Sequence, residues 1–155
     1  MGSPDGGPFG FDRLDASIRA AVENVASTDP NPIDPFRGLY ISDDLAVSLA
    51  RSRGDGLDAR LDAAAAALGL GELESSVLAL CAAPELSPRY GRLFAYLHDD
   101  VTRKLASPRL VARLLAEGEV DAAAVLACFE STAPLRRTGA VRLVDPATCT
   151  PLAER

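Results

Sequence analysis

Two Ser-Pro steps, Ser87-Pro88 and Ser107-Pro108, each stand directly before an apolar-periodic stretch. The serine can cap a helix, and the proline has the backbone angle of a first helical position, where no N–H is needed. A chain punctuated in this way folds as a series of short helices. The stretch after Ser87 carries Tyr90, Leu93, Phe94, Leu97 and Val101, which predicts a helix over 87–105. The stretch after Ser107 carries Leu110, Val111, Leu114 and Leu115. Both follow the three-and-four spacing that puts one stripe on one helix face.

The same spacing organises the rest of the chain. Leu14, Ile18, Val22 and Val25 predict a first helix from Phe11 to about Ser27. It is stopped by Asp29-Pro30-Asn31-Pro32, because each proline biases its predecessor out of the helical region. Residues 28–41 are expected to run as an extended strap bearing Phe36, Leu39, Tyr40 and Ile41. Ser42-Asp43-Asp44 then reads as a cap with acid in the first turn of a short helix, broken by Gly54-Asp55-Gly56. Leu57–Leu68 and Leu73–Cys81 give two further helices, the second apolar on most of its faces and closed by Pro84. Val120, Ala124, Val125, Cys128 and Phe129 give another, after a left-handed stop at Gly118. In the tail the period changes to alternation at Val141, Arg142 and Leu143, with a turn at Asp145-Pro146 and a return over Thr148–Leu152. The expected class is mainly α, with a small C-terminal β-hairpin. The expected division is a disordered 1–10, an N-terminal helix, strap and short helix over 11–56, and a helical domain with the hairpin over 57–155.

With 16 basic and 22 acidic residues the chain carries a net charge of −6, which disfavours nucleic acid as a partner. No stretch is long and apolar enough for a membrane span, and the N-terminus has no secretory pattern. Cys81, Cys128 and Cys149 are odd in number and lack metal-ligand spacing, which fits a reduced cytoplasmic protein. Phosphate-loop, dinucleotide and nucleophile-elbow motifs are absent. The one histidine, His98, is followed by Asp99 and Asp100, but helical neighbours diverge and zinc needs three or four ligands. No catalytic residue, metal or cofactor is expected.

Arg89, Arg92, Arg103 and Lys104 fall on or near the 87–105 helix. In a nucleic-acid reader they would contact phosphate or bases; otherwise they form a solvated face balanced by Glu85, Asp99 and Asp100. Tyr90 and Tyr96 fall on different helix faces, so one can pack while the other stays partly wet. Gly91 would allow close approach of a neighbouring element, and Arg136-Arg137 could meet a partner surface.

Residues 70–103, above all the run APELSPRYGRLFAYLHDDVTRK, resemble the N-terminal region of bacterial AAA+ ATPases that carry a winged-helix-like domain ahead of the motor. Similar ATPases accompany contractile injection systems. DPFRGLYISDD, residues 34–44, resembles that family's entry segment, and APLRRTGAVRLVD, residues 133–145, its stretch leading into the wing and motor. The resemblance covers roughly residues 33–145. It implies a helical bundle of winged-helix type that recognises a protein, either the ATPase ring or its client. No ATPase domain falls within the 155 residues, so the expected role is a non-catalytic adaptor or recognition domain. The candidate protein-binding residues are Phe36, Arg37, Tyr40, Arg89, Tyr90, Arg92 and Tyr96. A winged-helix nucleic-acid regulator is the alternative.

Overall fold

The computed structural model describes residues 11–28, 41–51, 58–116 and 120–144. Eight helices are seen among them: α1 Phe11–Thr28, α2 Asp43–Arg51, α3 Asp58–Ala67, α4 Glu72–Leu86, α5 Pro88–His98, α6 Pro108–Leu115, α7 Ala122–Ala127 and α8 Pro134–Arg137.

The core is built around α4 and α5. Five consecutive residues of α4, Ser76 to Leu80, are buried, as its nearly all-round apolar pattern requires. Ser76 satisfies its hydroxyl inside the helix by donating to the Glu72 carbonyl at 3.1 Å. From α5, Tyr90, Leu93, Phe94 and Leu97 point inward. Leu14, Ile18 and Val22 bring the α1 stripe onto α4, α5 and α6. Full burial of each such aliphatic or aromatic side chain contributes about 1.5–3 kcal/mol. The α2 helix lies against α1 and α5 through Ala46 and Ala50, and α3 lies against α4.

Both Ser-Pro steps start helices. Ser107 caps α6 by accepting the Leu110 N–H at 3.2 Å, and Ser42 accepts the Leu45 N–H at 3.3 Å to start α2. Ser87 occupies the same position before α5 but makes no side-chain cap bond. α4 does not close at Pro84. It runs on to Leu86, with Pro84 in its last turn. There the missing N–H forfeits only the bond to the Leu80 carbonyl.

α5 is shorter than its apolar spacing predicts. It stops at His98 because Asp99 adopts the left-handed conformation at φ 54°, and the Asp100 N–H turns back to the Ala95 carbonyl at 3.0 Å. Aspartate is one of the few residues that tolerates that region. Val101, Arg103 and Lys104 therefore lie in the following turn. It is the backbone and Cβ of Lys104 that lie nearest Gly91, at 3.6–3.7 Å from where a Cβ would stand.

The C-terminal hairpin is not seen. Val141–Val144 form no strand, and the returning arm at Thr148–Leu152 lies outside the described residues. In place of a first strand, the chain after α8 turns at Gly139, φ 75°, and the Val141 N–H bonds the Leu135 carbonyl at 3.0 Å. Leu135 and Val141 are both buried, so this turn is anchored by its two apolar residues. The strap residues 29–40 and the stops at residues 54–56 and Gly118 also lie outside the described residues.

Candidate functional site

Arg89 is the second residue of α5, and Asp15 lies one turn into α1, next to the Leu14–Ile18–Val22 stripe. Packing of α1 on α5 brings them together. Arg89 Nη2 donates to Asp15 Oδ1 at 2.6 Å and to the Tyr90 hydroxyl oxygen at 2.7 Å. The Tyr90 hydroxyl donates to the same Asp15 oxygen at 2.8 Å, closing a triangle. Nη1 reaches the Leu49 carbonyl of α2 at 3.3 Å. One guanidinium thus links α1, α2 and α5, with its Cζ 4.5 Å from the Tyr90 ring centroid.

The side chains of Arg89 and Asp15 are only 10% and 12% exposed, so the pair is largely dry. Burial opposes the Arg89 charge, but hydrogen bonds to Tyr90 and Asp15 outweigh it and hold the guanidinium above its ordinary range. Burial pushes the Tyr90 hydroxyl up to about 12, with Arg89 pulling the other way. A neutral tyrosine and a compensated ion pair form a structural clasp. They do not offer a proton at neutral pH.

A second polar link joins α5 to α2. The Tyr96 hydroxyl donates to Asp43 Oδ1 at 2.6 Å, and its ring is half-buried against the core. Among the seven residues singled out from sequence, then, Arg89 and Tyr90 are brought together, Tyr90 buried and Arg89 partly buried with its side chain largely covered. Tyr90 presents no ring to a partner. Arg92 is exposed, Tyr96 is half-buried, and Phe36, Arg37 and Tyr40 lie outside the described residues. Asp15 and Asp43 were missed. Only the position of Asp15 beside an apolar stripe could have marked it.

Among the described residues no group of three or more His, Cys, Asp or Glu side chains could hold a metal. Desolvation, helped by Arg103, lowers the His98 pKa and outweighs the opposite pull of Asp100. Asp100 bonds the Thr102 N–H and hydroxyl at 2.9 and 2.6 Å, which lowers its own pKa and folds the turn after α5. Burial raises the Cys81 thiol to about 12 and raises Cys128 as well, so neither is primed as a thiolate. Cys149 lies outside the described residues. No described helix is long and apolar enough to cross a membrane.

Searches of curated proteins and of solved structures return no significant match. A family described as a winged helix domain, variant, matches residues 12–155, nearly the whole chain including α1, and to that family the chain belongs.

Proposed function

We propose that this winged helix domain is a non-catalytic protein-recognition module acting in the cytoplasm, of the kind found ahead of the motor in bacterial AAA+ ATPases. The observation that carries this reading is the inward capture of Arg89. A nucleic-acid reader needs cations on the outer face of its reading helix. Here the first cation of α5 is spent on Asp15, and Arg103 and Lys104 lie beyond the helix end. Arg92 alone among the four remains exposed on α5. The net charge of −6 acts in the same direction. The fold alone does not decide function, since winged helices serve more than one purpose.

The test is mild crosslinking of tagged protein in its native host, with identification of what co-purifies. Recovery of an AAA+ ATPase or of injection-system components is expected. Recovery of nucleic acid without a protein partner, lost steeply with added salt, would replace this reading with that of a nucleic-acid regulator.

A further inference from the structure

The overall acidity of the chain hides an uneven distribution. Residues 1–86 carry 14 acidic and 6 basic side chains, whereas residues 87–155 carry 8 and 10. The segment from Ser131 to Val144 has no acidic residue and three arginines, Arg136, Arg137 and Arg142. The turn after α8 brings the backbone before Arg142 back to the helix that carries Arg136 and Arg137, because the Val141 N–H donates to the Leu135 carbonyl at 3.0 Å. Among the described residues no carboxylate lies within ion-pair distance of any of the three. Directly after Arg142 stand Leu143 and Val144, 47% and 44% exposed. Arg136 is half-buried and its Nη1 donates to the Phe129 carbonyl at 3.2 Å, whereas Arg137 and Arg142 are exposed. Water-facing aliphatic side chains beside cations with no carboxylate partner mark a surface that gains on both counts when covered.

We infer that Arg136, Arg137 and Arg142, with Leu143 and Val144, dock an acidic segment of a protein partner that carries apolar side chains. This rests on the protein-recognition reading above and names its surface. Charge complementarity selects an acidic occupant. The two aliphatic residues select protein over nucleic acid, because a phosphate backbone offers no apolar surface to cover Leu143 and Val144. Buried Leu135 and Val141 hold the backbone in place, so little ordering is needed on binding.

The probe is a short fluorescein-labelled peptide of alternating glutamate and leucine, read by anisotropy against the whole chain. Controls are a polyglutamate peptide and a single-stranded oligonucleotide of equal charge, and phosphatidylglycerol vesicles. The glutamate–leucine peptide is expected to bind best. R137E with R142E should weaken it at least about tenfold, since like charges are then placed against the ligand. L143S with V144S should weaken it severalfold while leaving polyglutamate unaffected. All four positions are exposed, so these variants are expected to fold. Absence of peptide binding, or binding indifferent to R137E with R142E, overturns the proposal. So does tighter binding of the oligonucleotide or vesicles that is unmoved by L143S with V144S. The crosslinking experiment repeated on R137E with R142E separates the two readings. An ATPase recovered equally from both proteins sinks this surface and keeps the recognition role. Nucleic acid alone, recovered from the unaltered protein, sinks both.

Discussion

α5 and α6 begin with the same three residues, Ser-Pro-Arg, yet the two starts are used in opposite ways. At α6 the serine caps the helix and Arg109 is exposed to water. At α5 the serine makes no cap bond, and the arginine is drawn into the interior by Asp15 and Tyr90. The difference lies in what packs alongside. α1 brings a carboxylate to the start of α5, whereas Arg109 forms no ion pair among the described residues. Local sequence sets where a helix begins, and tertiary packing decides what its first side chains do.

The largest test of that contrast is a paired arginine replacement. Arg89→Ala leaves the Asp15 carboxylate buried without its partner, which should cost about 3 kcal/mol in a urea unfolding experiment. Arg109→Ala, at an exposed position, should stay within about 0.5 kcal/mol of the unaltered protein. Equal effects would show that the buried pair adds nothing. Tyr90→Phe comes next, at about 1–2 kcal/mol, because it removes one corner of the triangle and leaves Asp15 with a bond unmade.

Tyr90 also carries a pH signature. Its folded pKa, about 12, lies above the ordinary value near 10, so the fold favours the neutral phenol. That contribution is complete below pH about 10 and is lost as the pH rises towards about 12. The urea midpoint should fall across this window, and Tyr90→Phe should make the fall shallower. An unchanged slope would mean that the phenol ionises as easily in the folded chain as in the unfolded one.

The serines give a smaller contrast. Ser107→Ala should cost about 1 kcal/mol, the usual worth of a side-chain cap, and Ser87→Ala close to nothing. Comparable losses at both would show that Ser87 caps in solution. Last is the fourth helical position of each start, Gly91 in α5 and Val111 in α6. A Cβ at Gly91 would meet Lys104 at ordinary contact distance. Gly91→Ala should therefore raise stability by up to about 0.8 kcal/mol through helix propensity. A loss would mean that the Lys104 turn is held more tightly than those distances indicate.

The helices were legible because burial here follows one-sided apolar stripes, as in α1, α5 and α6, or an all-round apolar pattern, as in α4. Their ends were harder to read. Pro84 looked like a stop, but a proline in a last turn loses a single bond and the helix passes it. Val101 continued the α5 spacing, but backbone geometry at Asp99 turned the chain first. Alternation at Val141 and Leu143 resembled a strand. One residue of that pattern is instead an anchor for the α8 turn, and the other faces water. The clasp was half legible. Arg89 and Tyr90 stand out as functional candidates, but the only mark on Asp15 is its place beside the apolar stripe of α1, and that place does not say which partner it will meet.

The Arg89–Asp15 bond joins residues 74 positions apart, whereas α4 and α5 are neighbours in the chain. Closing a long loop costs more entropy than closing a short one and delays the contact that closes it. The expected order is α4 pairing with α5 early and α1 arriving last. Contacts made after the rate-limiting step govern how fast a protein comes apart rather than how fast it forms. Loss of the clasp should therefore shorten the lifetime of the native state while leaving the refolding rate nearly unchanged.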